Sequence, residues 1–166
     1  MFDGLSLDES GTRAALIGES PVHPREVFAL NLDAKGPARR LTTGNPWLAE
    51  VRLARQEIVR YTARDGLAIE GLLVRPLETN AGAQPPLIVV AHGGPEGHFR
   101  NGWLTRYSEP GQFGAALGYA VFYPNYRGST GRGVRFAALS QKDPAGKEFE
   151  DVLDGIDALV KQRAVD

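Results

Sequence analysis

Pro85-Pro86-Leu87-Ile88-Val89-Val90-Ala91-His92-Gly93-Gly94-Pro95 is the stretch around which the rest of the chain can be read. Residues 87–91 form a continuous apolar run rich in β-branched side chains, entered through two prolines. Such a run predicts a strand buried on both faces, as in a parallel α/β sheet. It ends at His92-Gly93-Gly94, where two glycines free the backbone to turn through angles other residues avoid.

Composition narrows the setting. The 166 residues suffice for about one domain. An apolar fraction of 42% and a charged fraction of 23% are ordinary for a globular protein. A net charge of −1 gives no reason to expect a nucleic-acid or anionic-membrane partner. No apolar run approaches the roughly 20 residues that span a bilayer. The opening MFDGLSLDES has neither the basic nor the apolar segment of a signal peptide, so a cytoplasmic location is the expectation. Cysteine is absent, which excludes disulfides and thiolate chemistry.

Upstream of the central stretch, residues 1–45 read as short strands joined by turns. Ser10-Gly11 marks a turn before a strand over residues 13–17, and Pro21 and Pro24 break the chain before another over residues 26–32. Strands so few and short need a larger β structure or a neighbouring domain. Residues 56–62 and 67–74 flank Asp65-Gly66, a strong hairpin signal. Residues 78–84 read as a polar loop.

Downstream, residues 96–109 read as a long loop, in which Trp103 and Tyr107 either line a pocket or cover a core edge. Residues 111–117 read as a short helix stopped by Gly118. Residues 119–123 form a further strand leading into Tyr126-Arg127-Gly128-Ser129. In the final helix Phe149, Val152, Leu153, Ile156, Leu159 and Val160 make an apolar stripe expected to pack on the core. Glu150, Asp151, Asp154, Asp157 and Lys161 take the other side. Strand, helix, strand, helix is the pattern of a parallel α/β sheet.

The glycine turn admits two chemistries. Phosphate binding would need G-x-G-x-x-G or G-x-x-x-x-G-K-[ST], and neither occurs. Acyl transfer fits better, because an HGGG-type turn after the third strand of an α/β-hydrolase lends a backbone N–H to the oxyanion hole. With His23, His92 and His98 the only histidines and no H-E-x-x-H pair, neither a metal nor a cofactor is expected. His92 reads as a brace for the turn, since a general base needs a nucleophile beside it. Arg127 either faces a substrate carboxylate or carbonyl or pairs internally, and the internal role is preferred.

The nucleophile is the difficulty. Gly18-Glu19-Ser20-Pro21-Val22 imitates G-x-S-x-G but lacks its last glycine, and Pro21 removes the N–H that should follow the nucleophile. Ser129 has Arg127 where the first glycine belongs. No histidine follows His98, so a complete triad is not expected within this sequence.

Taken together, Asn45-Pro46-Trp47-Leu48, YTARDGLAIEG at 61–71, AHGGP at 91–95, YPNYRGSTG at 123–131 and Glu148-Phe149-Glu150-Asp151-Val152 resemble the prolyl oligopeptidase family of serine peptidases, in its acylaminoacyl-peptidase and dipeptidyl-peptidase-like branch. The resemblance implies an α/β fold: the N-terminal half of an α/β-hydrolase sheet over residues 49–166, preceded over residues 1–48 by the last strands of a β-propeller. It implies that Gly94 donates its backbone N–H to the oxyanion hole, and that His92 stands where other branches carry a tyrosine. It places the family's serine, aspartate and histidine beyond Asp166, and implies a peptide substrate cleaved through an acyl-enzyme.

In that fold the fourth strand lies between the second and third, leaving residues 87–91 as an apolar edge open to self-association. The expected function is therefore a serine peptidase present as a fragment, inactive until a C-terminal half joins it. The alternatives are a non-catalytic interaction module, one half of a split hydrolase and, least favoured, a small esterase acting through Ser129.

Overall fold

A computed structural model describes residues 1–79, 82–94, 96–143 and 145–166. Part of the expected loop at 78–84, and Pro95 of the AHGGP run, lie outside the described residues. The chain divides into two compact units: Met1–Leu53 with Asn101–Arg106, and Ala54–Arg100 with Tyr107–Asp166.

The first unit is an antiparallel meander of β1 (Phe2–Leu7), β2 (Arg13–Ser20), β3 (His23–Asn31) and β4 (Arg39–Arg40) in sheet order β1-β2-β3-β4. Strand β1 was not singled out in the sequence, because its apolar residues barely alternate and most of it is exposed. Pro24 lies inside β3 instead of breaking the chain before it. The tolerance is physical: β3 pairs with β4 only at Phe28 and Ala29, so the amide proline lacks is not needed at that end. Glu26 is buried on β3 and accepts from Arg40 Nη2 and Gly44 N, both at 2.8 Å, and from Thr42. Those donors, the Thr42 hydroxyl first, hold its carboxyl below the ordinary value.

The second unit is built on β5 (Gln56–Thr62), β6 (Ala68–Val74), β7 (Leu87–Val89) and β8 (Ala120–Asn125), in sheet order β5-β6-β8-β7. Strands β5 and β6 form the expected hairpin, with Gly66 at φ 89° in its turn. Strand β8 runs antiparallel to β6 and parallel to β7.

The sequence put the doubly buried strand at residues 87–91. The structure puts it one strand later. All six residues of β8 are buried, whereas Leu87, Ile88 and Val89 are half-buried and β7 ends at Val89. The cause is sheet order: β8 has a neighbour on each side, and β7 stands at the edge.

Both faces of β8 are covered. Val121 and Tyr123 face α1 (Gly111–Ala116), where Gly114 and Gly111 let the helix approach. Phe122 faces α3 (Lys147–Lys161), where a Cβ on Gly155 would meet the Phe122 and Tyr61 rings at 2.9 and 2.8 Å. A four-residue helix α2 (Val134–Ala137) adds Phe136 to the core formed by Tyr61, Ile69, Leu73, Phe122 and Leu159.

Helix α3 forms where expected but presents a different face. Asp151, Gly155 and Leu159, spaced i, i+4, i+8, are buried, while Phe149 (62%), Leu153 (53%) and Val160 (43%) are exposed. The stripe read as core is thus partly an open surface, and Asp151, read as solvated, is inside. Among the described residues no helix is long and apolar enough to cross a membrane.

Candidate functional site

Three segments of the second unit converge at the C-terminal ends of the parallel strands: the turn after β7 (92–94 and 96–97), the loop after β8 (126–131) and the start of α3. This is where open α/β sheets place their ligand sites.

The Gly93-Gly94 turn is exposed. Gly94 takes φ 128°, a region that favours glycine, and a Cβ there would lie 2.7 Å from Glu96 N and 3.1 Å from Gly97 N. Its own N–H has no hydrogen-bond partner among the described residues. An exposed, unpaired amide in a glycine corner is a donor available to an incoming anion.

His92 lies behind that turn, not in front of it. Its ring stacks on Tyr126 at 4.4 Å between centroids with 15° between planes, and meets Phe99 edge-on at 5.5 Å. Nε2 lies 2.8 Å from Ser129 Oγ, and Nδ1 lies 3.2 Å from Gly93 O. The Tyr126 hydroxyl donates to the His92 carbonyl oxygen. Burial pulls the imidazole pKa below its ordinary value, with the nearby His98 adding to the effect and the Gly93 carbonyl opposing it.

Ser129 is fully buried, and its hydroxyl donates to Tyr126 O at 2.6 Å. A serine has one proton to give. Its oxygen must therefore accept from His92 Nε2–H, the reverse of the polarity in which a histidine activates a serine nucleophile. Ser20, the other serine considered, sits at the β2–β3 turn, paired with His23 across the hairpin. That is a strand-to-strand connection and not a strand-to-helix elbow.

Arg127 takes the internal role. It is 4% exposed and bonds Asp151 on α3 and Asp65 in the β5–β6 turn. Both carboxylates raise the guanidinium pKa further above its already high value, Asp151 the more strongly. The neighbouring Arg64 clasps Asp154 from the same turn, with its backbone N–H at 2.7 Å and Nη2 at 2.8 Å. Tyr61 donates to Asp151 O at 2.8 Å.

Three further residues have roles that the sequence reading did not assign. Asn125 clips the loop after the turn by exchanging hydrogen bonds with Phe99 N and O at 2.7 and 2.9 Å. Thr130 N–H reaches Gly97 O at 3.1 Å, and Thr130 Oγ1 lies 2.7 Å from His98 Nδ1. Asp151 had one legible signal, since it shares a helical face with Gly155 and Leu159. Tyr107, expected to line a pocket or cover a core edge, is fully exposed. Among the described residues no group of three His, Asp or Glu side chains is arranged to hold a metal ion.

Comparison with known proteins agrees with the motifs. Residues 105–166 match the prolyl oligopeptidase family. The chain is 31% identical over 159 residues to the uncharacterized peptidase YuxL of Bacillus subtilis, covering 95% of this chain and 23% of that protein. It is 32% identical over 133 residues to dipeptidyl aminopeptidase BIII of Pseudoxanthomonas mexicana, covering 76% and 19% respectively. The structure superposes on the acylaminoacyl peptidase of Pyrococcus horikoshii with a TM-score of 0.83 at 28% identity, covering 99% of this chain and 25% of that one. The chain thus spans about a quarter of the length of the proteins it matches. Its fold is α/β, the first strands of an α/β-hydrolase sheet preceded by propeller-like strands. By its motifs, its relatives and its fold, the chain belongs to the prolyl oligopeptidase family of serine peptidases.

Proposed function

We propose that this chain supplies the oxyanion side of a peptide-hydrolysing site, and that the serine, aspartate and histidine come from residues other than these 166. The observation that supports the reading is the exposed N–H of Gly94, which has no hydrogen-bond partner among the described residues, in a corner that only glycine fits. In acyl transfer the scissile carbonyl oxygen gains negative charge as the nucleophile attacks, and a fixed amide at that point stabilises the transition state more than the ground state. Removing one such donor costs about 10²–10³ in kcat. Neither serine weighed in the sequence supports a nucleophile role: Ser129 is buried with its proton committed to Tyr126 O, Ser20 sits in a hairpin turn, and no G-x-S-x-G occurs in the sequence.

In this reading residues 1–48 are the end of a propeller and residues 49–166 the incomplete catalytic domain. The substrate is a peptide, held between the Gly94 corner and the nucleophile.

The test is fluorophosphonate labelling with and without a segment carrying the remainder of a family member's hydrolase domain. The chain alone stays unlabelled and does not turn over a p-nitrophenyl ester; the complemented pair labels at a serine of the added segment. Turnover by the chain alone that disappears on Ser129→Ala would establish the esterase reading instead.

A second reading rests on the edge of the sheet. Among the described residues strand β7 pairs with one strand, β8, and Asp166 N–H reaches Pro85 O at 3.0 Å beside it. An open apolar edge is a template for another strand, so half of a split hydrolase, or a module that associates through this edge, is the alternative. Concentration-dependent sedimentation without any gain of labelling in the complemented pair would favour it.

A further inference from the structure

We infer that Asn125 is a positioning residue for the Gly94 donor: its side-chain amide clamps the chain where it leaves the glycine corner. What the corner is for rests on the proposed oxyanion role; the clamp itself does not.

The corner belongs to a loop tied at both ends to β8. On entry, Val90 N–H reaches Phe122 O at 2.8 Å. On exit, Asn125, the last residue of β8, accepts from Phe99 N–H through Oδ1 at 2.7 Å and donates from Nδ2 to Phe99 O at 2.9 Å. The polarity is right at both atoms, because the side-chain amide has an acceptor end and a donor end, and the peptide groups of Phe99 offer the converse. Asn125 thereby does for Phe99 what a paired residue on a neighbouring antiparallel strand would do. Two bonds fix orientation as well as distance, and at 8% exposure water competes little for them.

Between clamp and corner the chain is short and crowded. Gly97 O accepts from Thr130 N–H at 3.1 Å, and His98 Nδ1 lies 2.7 Å from Thr130 Oγ1. The Phe99 ring packs edge-on against Tyr123 at 4.8 Å between centroids. Of these ties on residues 97–99, the clamp alone holds both peptide groups of one residue. A Cβ on Gly97 would lie 3.0 Å from Gly93 O, so the Gly97 backbone sits against the carbonyl side of the Gly93–Gly94 peptide. In a planar trans peptide the N–H points away from the carbonyl. Holding Phe99 keeps Gly97 against Gly93 O, and that leaves the Gly94 N–H facing outward.

The experiment uses the isotope-labelled 166-residue chain and needs no catalytic activity. Backbone ¹⁵N relaxation reports the order of Gly94 and, as a control at the opposite end of β8, of Gly118, which also takes a positive φ of 90°. In the native chain the Gly94 order parameter is about 0.85, the rigid-backbone level. Asn125→Leu, similar in size but without either hydrogen-bonding end, lowers it toward about 0.6 and leaves Gly118 unchanged. Asn125→Asp is the conservative variant. Its carboxylate still accepts from Phe99 N–H but turns a second acceptor toward Phe99 O, whereas the protonated carboxyl restores the donor. Gly94 is therefore loose in Asn125→Asp at neutral pH and regains order as the new carboxyl, followed by its ¹³C resonance, takes up its proton. The native chain shows no such recovery. Unchanged Gly94 order in Asn125→Leu, an equal loss at Gly118, or an Asn125→Asp chain indifferent to its own protonation overturns the inference. Should Asn125→Leu not fold, Asn125→Asp decides alone. Each of these results leaves the oxyanion reading standing, and failed complementation in the labelling test leaves the clamp standing.

Discussion

Arg127 and Asp151 are joined by three hydrogen bonds, from Arg127 N and Nε to Oδ2, both at 2.8 Å, and from Nη2 to Oδ1 at 2.6 Å. Their side chains are 5% and 0% exposed. The pair ties the loop after β8 to the first half of α3, and Asp65 extends the tie to the β5–β6 turn. An arginine that the sequence allowed as a substrate ligand is thereby the buried keystone of the scaffold behind the turn.

Breaking this pair from one side leaves a charge buried and alone, so Asp151→Asn or Arg127→Met should each destabilise the chain by about 3–5 kcal/mol. Replacing both with apolar residues removes the orphan as well as the bond. Arg127→Met with Asp151→Leu should therefore cost less than either single change, although the Arg127 N–H loses its acceptor at about 1–3 kcal/mol. Urea midpoints of the three variants decide it; additive losses would show that the pair is not a unit.

Acid should unfasten the same network from its solvent end. The Arg127 guanidinium holds the Asp65 carboxyl down to about 2, against an ordinary 3.8. Since the folded value is the lower one, the contribution of Asp65 is complete above its unfolded value. It is lost as the pH falls from 3.8 toward about 2. The stability gap between the native chain and Asp65→Asn should be constant above that window and close within it. A gap that stayed open at the acid end of the window would place the tie elsewhere.

Helix α3 marks how far periodicity carries. Its existence and length follow from the apolar spacing, but its orientation does not, because Asp151 and Gly155 hold the buried face by pairing and by smallness and not by hydrophobicity. Two outcomes check the observed orientation. Leu159→Ala, at 2% exposure, should cost about 2–5 kcal/mol, whereas Phe149→Ser, at 62%, should change stability by no more than about 0.5 kcal/mol. The reverse order of losses would restore the stripe predicted from the sequence.

Other parts of the fold were legible for local reasons. Asp65-Gly66 specifies its hairpin within four residues, and His92-Gly93-Gly94 specifies a corner because glycine alone takes φ 128° without strain. Composition did not show which strand is doubly buried, since residues 87–89 and 120–122 are equally apolar; only the sheet order implied by the family resemblance, with the fourth strand between the second and third, separates them. Nor did it show the role of Ser129. A serine reads as a candidate nucleophile in one dimension, and only the carbonyl of Tyr126 three residues back shows where its proton goes.

At the alkaline end the sheet has a titrating group of its own. Tyr123 is fully buried on β8, and its hydroxyl accepts from Gly111 N–H at 2.9 Å at the start of α1. Burial pushes its ionisation up to about 12 from 10.0, with Glu109 adding to the shift and the Gly111 amide opposing it. Here the folded value is the higher one, so the associated stability is complete below 10.0 and is lost as the pH climbs toward about 12. The phenolate absorbance of the native chain minus that of Tyr123→Phe should titrate near the upper value. Tyr123→Phe should also lose about 1–3 kcal/mol at neutral pH, because the Gly111 N–H keeps its burial and loses its acceptor. A difference spectrum titrating near 10.0 would mean that water reaches the ring, and that α1 does not close over this face of β8.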